Sequence, residues 1–435
     1  MKNSTRLAFL TIILAVGSGC KTQPAVTDFP DHIRDIYAGV ANMFILRDDN
    51  TLWGLGYNRS DQLGLGAGVQ GDDSGAPQFT RINDDTGAPF SGVQSVAAGE
   101  NHTLILKDDG TLWGAGDSTN GELGMGGGKL QVFTQLKAGG SPLSGVKALA
   151  AGNNTSFFIA SDGSLWASGY NYYGELGMGN RDAQLSFTKV ESAGQNVKAL
   201  AAGMRHTVLL KEDGTLWAAG YNFNGQLGLG DTDDRTTFTE VKDAGTGIVA
   251  VAAGSYHTVI LKSDGSVWTA GSNYWGQLGF SGKADRLTFT RVSDENGNPL
   301  SDVKEIAARG NITALLRADG SLLLTGNYAE TEGVNPPLPD AAAPGVSSES
   351  SAENSAESSA KDSGEDSAKS SFIPLVPEKE EASEFGGVKK IVLGYNSIYV
   401  IASDGRLWAA GSNHYGQLSL GFDTENSPAL KLINP

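Results

Sequence analysis

Cysteine and basic residues are scarce in this sequence. The 435 residues include one cysteine, so no intrachain disulfide can form and a buried core must hold the fold together. Lysine and arginine number 32 against 49 acidic residues, which gives a net charge of −17. Because a phosphate backbone is bound by clustered basic residues, this balance argues against a nucleic-acid partner. The 59 glycines and the charged fraction of 19% are typical of many tight turns between short strands.

The one cysteine, Cys20, closes a short N-terminal pattern. Lys2 and Arg6 precede an apolar run over residues 7–16, and GSGC follows it. These are the parts of an export signal, and the run is too short to span a bilayer. The pattern resembles the lipobox of bacterial lipoproteins, although Gly17 stands where that family usually has leucine. The resemblance implies a signal peptide over 1–19, a lipid with palmitate on Cys20 and a tether over 20–32; the alternative is a plain secretory signal.

One phrase recurs seven times along the chain. The fourth copy reads ALAAGMRHTVLLKEDGTLWAAGYNFNGQLGLG and begins at Ala199. Each copy carries two apolar runs, an Asp-Gly pair (Asp-Asn in the first copy), a third run that usually contains tryptophan, a loop of the type NxxGxLGxG and a closing strand. The Asp-Gly pair predicts a two-residue hairpin between antiparallel strands. Four such strands per copy predict an all-β fold, a seven-bladed β-propeller of four-stranded antiparallel blades.

These phrases resemble the repeat of the regulator of chromosome condensation family, whose signature is close to AAGxxHTxxLxxDGxxWxxGxNxxGQLG. The resemblance implies a seven-bladed propeller. The sixth copy departs most from the signature, because Arg309 replaces the glycine, Ile312 the histidine and Leu323 the tryptophan, and residues 328–333 lack GQLG.

A Ser-, Ala- and Glu-rich stretch divides the chain into propeller repeats one to six over 33–339 and repeat seven over 386–435. Residues 340–385, which include SSESSAENSAESSAKDSGEDSAKSS, are predicted to form a disordered insertion, since they bury too little apolar surface to offset the entropy of ordering. The insertion could serve as a flexible arm or as a target for modification. The alternative, which we favour, is a surface insertion without a function of its own, since loops accept added length at low cost. The apolar residues Phe372–Val376 are predicted to supply the fourth strand of blade six.

Three histidines recur at one position of the repeat, namely His102, His206 and His257. They belong to different blades and would be spread around the ring, so we expect buried histidines that bond to backbone across a blade rather than metal ligands. The sequence contains no nucleophile elbow, zinc motif or phosphate-binding loop. We therefore expect no catalytic residue, no metal and no cofactor, and a protein that is not an enzyme.

Aromatic residues occupy the two variable positions of the NxxGxLG loop in four copies. In an up-and-down blade this loop emerges on the same face as the AAGxxH turn, so the aromatics would line one mouth of the propeller and supply interface anchors. The alternative is that the first residue of each pair packs on its own blade. The candidate partner-binding residues are Tyr172, Tyr173, Phe223, Tyr274, Trp275, His414 and Tyr415.

The sequence favours a non-enzymatic protein-binding scaffold that binds through loops at one propeller face. It would be an exported, monomeric lipoprotein held at a bacterial membrane in the cell envelope, at the outer membrane or cell surface. One alternative is an inhibitor of an extracytoplasmic enzyme, since the family includes a secreted β-lactamase inhibitor. A second alternative is nucleotide exchange on a small GTPase, the activity of the founding member, because a shared fold does not carry function by itself. The partner is a protein of unknown identity.

Overall fold

The computed structural model describes residues 33–66, 76–138, 140–294, 296–327, 372–377, 385–412, 418 and 427–433. They form seven consecutive antiparallel sheets of four strands each, so the predicted seven-bladed β-propeller is confirmed. From blade one to blade seven the strands are Ile33–Ala38, Asn42–Arg47, Leu52–Gly56 and Ala76–Arg81; Val93–Ala98, His102–Lys107, Leu112–Asp117 and Lys129–Gln135; Val146–Ala151, Thr155–Ala160, Leu165–Gly169 and Gln184–Lys189; Val197–Ala202, His206–Lys211, Leu216–Gly220 and Arg235–Glu240; Ile248–Ala253, His257–Lys262, Val267–Gly271 and Arg286–Arg291; Val303–Arg309, Ile312–Arg317, Leu322–Gly326 and Ile373–Pro374; Val388–Leu393, Ser397–Ala402, Leu407–Gly411 and Ser427–Ile433.

Short elements join some of the blades. Lys137–Ala138 and Ser141–Pro142 form a two-stranded ribbon after blade two, and single 3-10 turns over Glu191–Ala193 and Lys242–Ala244 follow blades three and four. These pieces span the connection from the outermost strand of one blade to the innermost strand of the next.

The strands of each blade pair in chain order, and the first strands of neighbouring blades contact one another around the ring axis. In blade four, Leu200 lies opposite Leu209, and Leu209 lies opposite Trp217. Successive side chains of a strand point to opposite faces of its sheet. Each blade therefore presents apolar residues to both neighbours, and the core consists of layers between blades.

The Asp-Gly hairpins differ from the two-residue turn that the sequence predicts. The Lys107 N–H donates to the Thr111 carbonyl, so three residues lie in the loop, and only Gly110 among them has positive φ, at 78°. The Asp109 carboxylate accepts hydrogen bonds from the backbone N–H and the hydroxyl of Thr111. A three-residue loop with glycine in the left-handed region has this geometry, and the aspartate is retained because it closes the loop with its side chain. In blade one, Asn50 takes the glycine position with φ 63°, as its tolerance of positive φ predicts.

Blade six closes with a strand that lies inside the predicted insertion over 340–385, most of which is outside the described residues. Ile373 and Pro374 pair with Leu324 and Leu323, as predicted for the residues around Phe372–Val376. The Phe372 ring lies against Gly279 of blade five, where a Cβ atom would stand 2.2 Å from the ring. Gly177 and Phe238 make the same contact between blades three and four. The loop of one blade thus docks on the fourth strand of the next.

Blade seven abuts blade one to close the ring. The described strands of both blades come from their own repeats, so no strand is exchanged between them. Lys390 of blade seven forms an ion pair with Asp35 and lies 5.5 Å from the centre of the Tyr37 ring of blade one. Val392 and Tyr399 share a buried apolar cluster with Ile36 and Phe44. We call the interface between two neighbouring blades a seam. The seam between blades seven and one consists of apolar packing and one half-buried ion pair.

Candidate functional site

The two faces of the propeller carry different loops. The AAGxxH turns and the NxxGxLG loops lie on one face, which we call the aromatic face, and the Asp-Gly hairpins and blade linkers lie on the other, the hairpin face. Arg205, in the first turn of blade four, contacts Tyr173, in the loop of blade three, which confirms that both loop types share a face. The predicted arrangement of loops is therefore correct.

The asparagine of each NxxGxLG loop fixes the loop on its blade. The buried Asn171 accepts a hydrogen bond from the backbone N–H of Leu176 at 2.9 Å, and Asn222 accepts one from Leu227 at 3.0 Å. Gly174 and Gly177 take positive φ and approach the neighbouring blade too closely for a side chain. The loop backbone is rigid as a result, and the two variable side chains project from a fixed platform.

A continuous series of aromatic rings crosses blades three to five on this face. Tyr172 lies against Tyr170 and Tyr173, with ring centres 6.3 and 5.0 Å apart. The series continues from Tyr173 to Tyr221 at 4.9 Å. Tyr221 contacts Phe223 at 6.3 Å and Tyr256 at 6.0 Å. We call this set of six rings the aromatic belt.

A further pair, Tyr274 and Trp275, lies in the loop of blade five with ring centres 5.0 Å apart. Tyr274 is 48% exposed and Phe223 is 58% exposed, the most open of the loop aromatics. The Trp275 Nε1 and the Tyr256 hydroxyl are buried without a hydrogen-bond partner among the described residues. Buried polar groups normally have partners, so these two unpaired groups set this face apart from an ordinary buried core.

Arg205 is the cation of the aromatic belt. Its guanidinium lies 4.8 Å from the centre of the Tyr173 ring and donates a hydrogen bond to the Tyr173 hydroxyl at 3.0 Å. Burial, with neighbouring tyrosines adding to it, raises the pKa of Tyr221 to about 12, and burial raises the pKa of Tyr256 to about 12 as well. Tyr221 and Tyr256 therefore stay neutral at physiological pH, and a neutral tyrosine hydroxyl can both donate and accept a hydrogen bond.

The structure brings together three of the predicted partner-binding residues, Tyr172, Tyr173 and Phe223, and places Tyr274 and Trp275 on the next loop. His414 and Tyr415 of blade seven lie outside the described residues, as does Cys20. Tyr172 and Phe223 stack on a tyrosine of their own blade, so the alternative of packing within the blade holds in part, but Phe223 remains mostly exposed. Their role in binding stays a prediction.

Sequence reasoning missed four members of this surface. Tyr170 and Tyr221 directly precede the loop asparagine, and Arg205 and Tyr256 occupy the residue before the histidine position. Both positions vary between the copies, so a comparison of every variable position near the aromatic face, and not only those inside the loop, would have found them.

The recurring histidines link neighbouring blades. The Nε2 atom of His257 lies 2.9 Å from the Thr313 hydroxyl of blade six, and that hydroxyl donates to the Gln277 carbonyl at 2.7 Å. Because the hydroxyl proton is used, the histidine must donate from Nε2. His206 bonds to Thr258 in the same way, and His102 lies 2.9 Å from the Ser156 hydroxyl. The prediction of buried structural histidines is confirmed, with a hydroxyl of the next blade as partner in place of the expected backbone group.

Burial keeps these histidines neutral. It lowers the pKa of His102 and His206 to about 4 and that of His257 to about 3. Gly254 leaves the space for the His257 ring, since a Cβ atom at that glycine would stand 2.0 Å from the ring. The AAG motif and the histidine are thus one packing unit.

Glu175, in the loop of blade three, is the most strongly shifted carboxyl group on this face. Burial raises its pKa to about 8, although one of its oxygens accepts a hydrogen bond from the Tyr173 N–H. Blades four and five have glutamine at this position, Gln226 and Gln277, and use it for the same backbone contact. Glu175 therefore acts as a neutral hydrogen-bonding group that supports the loop of Tyr172 and Tyr173.

Within the part of the chain that the structure describes, no group of three His, Cys, Asp or Glu side chains is placed to hold a metal ion. No helix among the described residues has the length and hydropathy needed to cross a bilayer. The aromatic face instead offers rigid aromatic rings, a partly buried arginine and two unpaired donors.

The fold defines a class, the seven-bladed β-propellers of four-stranded antiparallel blades. Family models described as "Regulator of chromosome condensation (RCC1) repeat" match residues 93–122, 146–175, 197–226, 248–277 and 388–417 in one case and 162–210 and 213–261 in another. The chain belongs to the proteins built from RCC1 repeats. The family resemblance seen in the sequence is confirmed.

Curated relatives match part of the chain. The ultraviolet-B receptor UVR8 of Arabidopsis thaliana is 29% identical over 209 residues, which are 46% of this chain and 46% of the receptor. The X-linked retinitis pigmentosa GTPase regulator of Mus musculus is 35% identical over 141 residues, which are 32% of this chain and 14% of the regulator. The matches thus span less than half of the length of these relatives.

Two solved structures share the fold over nearly the whole chain. Human WBSCR16 superposes with a TM-score of 0.67 and 18% identity, over 91% of this chain and 94% of that one. Prp20p of Saccharomyces cerevisiae, whose structure was described with its binding properties to Gsp1p and histones, superposes with a TM-score of 0.65 and 19% identity, over 93% and 88%. At this identity the likeness concerns the fold alone.

Proposed function

We propose that this RCC1-repeat propeller is a non-enzymatic scaffold that binds a partner protein on its aromatic face. The aromatic belt carries the proposal, because six rings in contact extend over three blades on a rigid platform. Tyrosine, tryptophan and arginine are the residues that contribute most to protein interfaces when they lie near the centre of the buried area. Aromatic side chains on fixed loops also lose little conformational entropy on binding.

The chemistry of the partner follows from charge and exposure. Phe223 and Tyr274 offer exposed apolar surface, and the Tyr173 hydroxyl lies on the same face with the guanidinium of Arg205. With a net charge of −17, the chain attracts neutral or basic surfaces at long range. The partner we propose is a protein with an apolar patch edged by backbone carbonyls and basic residues. Prp20p, described with its binding to Gsp1p, supports a protein as the kind of partner.

A paired comparison of exposed residues tests this function. The double variant Phe223→Ala/Tyr274→Ala removes exposed side chains from the aromatic face, and Ile373→Ala/Val376→Ala removes side chains of equal exposure, 48% and 58%, from the outer edge of blade six. Proteins cross-linked to the wild-type chain in envelope extracts should be recovered at least about tenfold less with the first variant, as expected when two anchors are lost, and equally with the second. Equal recovery with both variants would exclude the aromatic face as the docking surface.

We further propose that the chain is displayed as a monomer in the bacterial cell envelope through a lipid on Cys20. The export pattern before Cys20 is the support for this step. Replacing Cys20 with serine should move the protein from the membrane fraction to the soluble fraction while the fold, measured by circular dichroism, is unchanged. Retention in the membrane fraction would rule out the lipid anchor.

The identity of the captured partner distinguishes two more specific functions, inhibition of an extracytoplasmic enzyme and nucleotide exchange on a small GTPase. If it is an extracytoplasmic enzyme, its activity should fall when the purified propeller is added, and the Phe223→Ala/Tyr274→Ala variant should leave that activity unchanged. Exchange activity is measured as nucleotide release from purified small GTPases. We expect no acceleration, and a clear acceleration would replace the scaffold function by exchange.

A further inference from the structure

A cavity of about 460 Å³ lies along the ring axis among the first strands of blades three to seven. Its walls are built from small apolar residues, including Ala150, Ala201, Ala252 and Ala307. The volume lies in the range of pockets that enclose small organic ligands. Nothing in the aromatic-face function uses this space.

Arg309 lies at the end of the cavity beside the aromatic face. It is the residue that replaces the AAG glycine in blade six, and its side chain crosses the axis to blades one and two. Its guanidinium donates hydrogen bonds to the carbonyls of Ala38 at 3.2 Å and Ala98 at 3.1 Å. Two of its five N–H donors are used in these bonds. One side chain therefore places a positive charge across the mouth of the cavity.

The charge of Arg309 is only weakly compensated. Burial lowers its pKa to about 10, and the charge of Glu100 opposes this effect. Within the described ranges of the chain, Glu100 forms no ion pair with Arg309. A guanidinium in a desolvated position is stabilised strongly by a carboxylate that reaches its free donors.

The far end of the cavity is also basic. Lys304 and Lys389 line it and are exposed at the hairpin face, and the charge of Lys390 is already paired with Asp35. The one acidic residue that lines the cavity, Glu305, has a pKa raised by burial. The cavity thus carries an excess of positive charge in a protein whose net charge is −17.

We propose that the axial cavity binds a small organic monocarboxylate with an unbranched apolar body. The carboxylate bonds to the free donors of Arg309, the apolar body lies along the alanine walls, and the ligand enters past Lys304 and Lys389 at the hairpin face. This proposal does not depend on the partner protein, because no residue of the aromatic belt lines the cavity.

Titration calorimetry of the full chain with octanoate tests the site, with 1-octanol as the uncharged probe of the same length. Arg309→Gly is the sharpest variant, since six other copies of the repeat have glycine there: Gly39, Gly99, Gly152, Gly203, Gly254 and Gly394. We expect octanoate to bind the wild-type chain. Arg309→Gly should weaken the affinity for octanoate at least about tenfold, which is the size of one lost charge-assisted hydrogen bond. The uncharged 1-octanol should bind equally weakly to both forms. Arg181→Gln removes one guanidinium from the surface and is the matched control, with unchanged affinity.

Arg309→Lys and Arg309→Met keep the test decisive if the glycine variant is poorly folded. The lysine variant should retain most of the affinity for octanoate, and the methionine variant, similar in length but uncharged, should lose it. No heat of binding to the wild-type chain, or equal affinities of the arginine and methionine forms for octanoate, would overturn the proposal. Equal affinities of the wild-type chain for octanoate and 1-octanol would overturn it as well.

Discussion

Blades five and six are neighbours with the same four-stranded topology, yet they differ at three characteristic positions of the repeat. Blade five has Gly254 and His257, and its Trp268 donates to the Ser266 hydroxyl at 3.1 Å and lies 4.3 Å from Lys262. Blade six has Arg309, Ile312 and Leu323 at the positions of the glycine, the histidine and the tryptophan. The order of the strands is nevertheless the same, so these three residues of the repeat are not required to form a blade.

The difference between these blades teaches that the histidine belongs to a seam and not to a blade. Blade six keeps Thr313, which is the partner of His257 in blade five. It lacks its own histidine, and blade seven correspondingly has Ile398 where the three seams that contain histidine have a hydroxyl. Ile312 and Ile398 lie in one buried apolar cluster. A polar pair at one seam is therefore replaced by an apolar pair at the next.

Acid should act most strongly on the seams that contain histidine. The unfolded histidines take up protons near pH 6.5, whereas the folded ones stay neutral down to about pH 4 for His102 and His206 and about pH 3 for His257. The unfolded state thus binds more protons in this window, and stability falls as pH falls, by on the order of 10 kcal/mol for the three groups together. Urea denaturation between pH 7 and pH 4 measures the fall. His257→Ile should reduce its slope by about a third, one of three such groups, and an unchanged slope would contradict the assignment.

Introducing the missing histidine should destabilise the seam between blades six and seven. In Ile312→His the imidazole would lie against Ile398 without an acceptor, at a cost of about 3 kcal/mol. The double variant Ile312→His/Ile398→Thr supplies the hydroxyl and should recover about half of that loss. Denaturant unfolding at pH 7.5 gives both free energies, and strict additivity of the two substitutions would show that no pair had formed.

Glu175 is a departure inside a regular blade, and replacing it should stabilise that blade. Its folded pKa of about 8 lies above the ordinary glutamate value of 4.5, so the folded state binds the extra proton and stability falls as pH rises from 4.5 to 8. Glu175→Gln, the residue of blades four and five, removes this loss and should add about 2 kcal/mol at pH 6. The gain should vanish below pH 4.5, and a gain that is the same at pH 4 and pH 8 would point to packing as its cause.

Restoring the tryptophan of blade six should have the smallest effect. In Leu323→Trp the indole N–H could donate to the Ser321 hydroxyl, as in the other blades, and the ring could receive Arg317. Arg317 is already held by Asp302 at 2.6 Å, so the new contact competes with an existing ion pair. We expect a gain below about 1 kcal/mol in the thermal unfolding free energy. A larger gain would mean that the ion pair contributes little.

Much of the fold could be predicted from the sequence because the evidence for it is local and repeated. Strand pairing, the number of blades and the fourth strand of blade six follow from apolar runs and turn residues. The predicted length of the hairpin loops was wrong. Asp109 closes the turn with its side chain, which favours a loop of three residues over a loop of two. The hydroxyl partners of the histidines were missed because each lies on the next repeat, about fifty residues away.

The sequence predicts that aromatic residues lie on one face, but it does not predict all the residues of this surface or their contacts. The loop aromatics Tyr173 and Phe223 are visible as deviations within one repeat. That Tyr173 contacts Tyr221 and Arg205 depends on which blades are neighbours in the ring and how closely their loops approach. Such contacts join residues of different repeats, for which the sequence carries no separate pattern.

The sequence by itself determined the repeat, the propeller and the face on which the variable aromatics lie, because these depend on the alternation and turn chemistry within each copy. Only the tertiary structure decided how the copies meet. Closing the ring brings Arg309 within reach of the Ala38 carbonyl, 271 positions away in the chain, and gathers the alanines of four blades around one cavity. Contacts across the ring are set by the closure of the propeller, and no single repeat contains both partners.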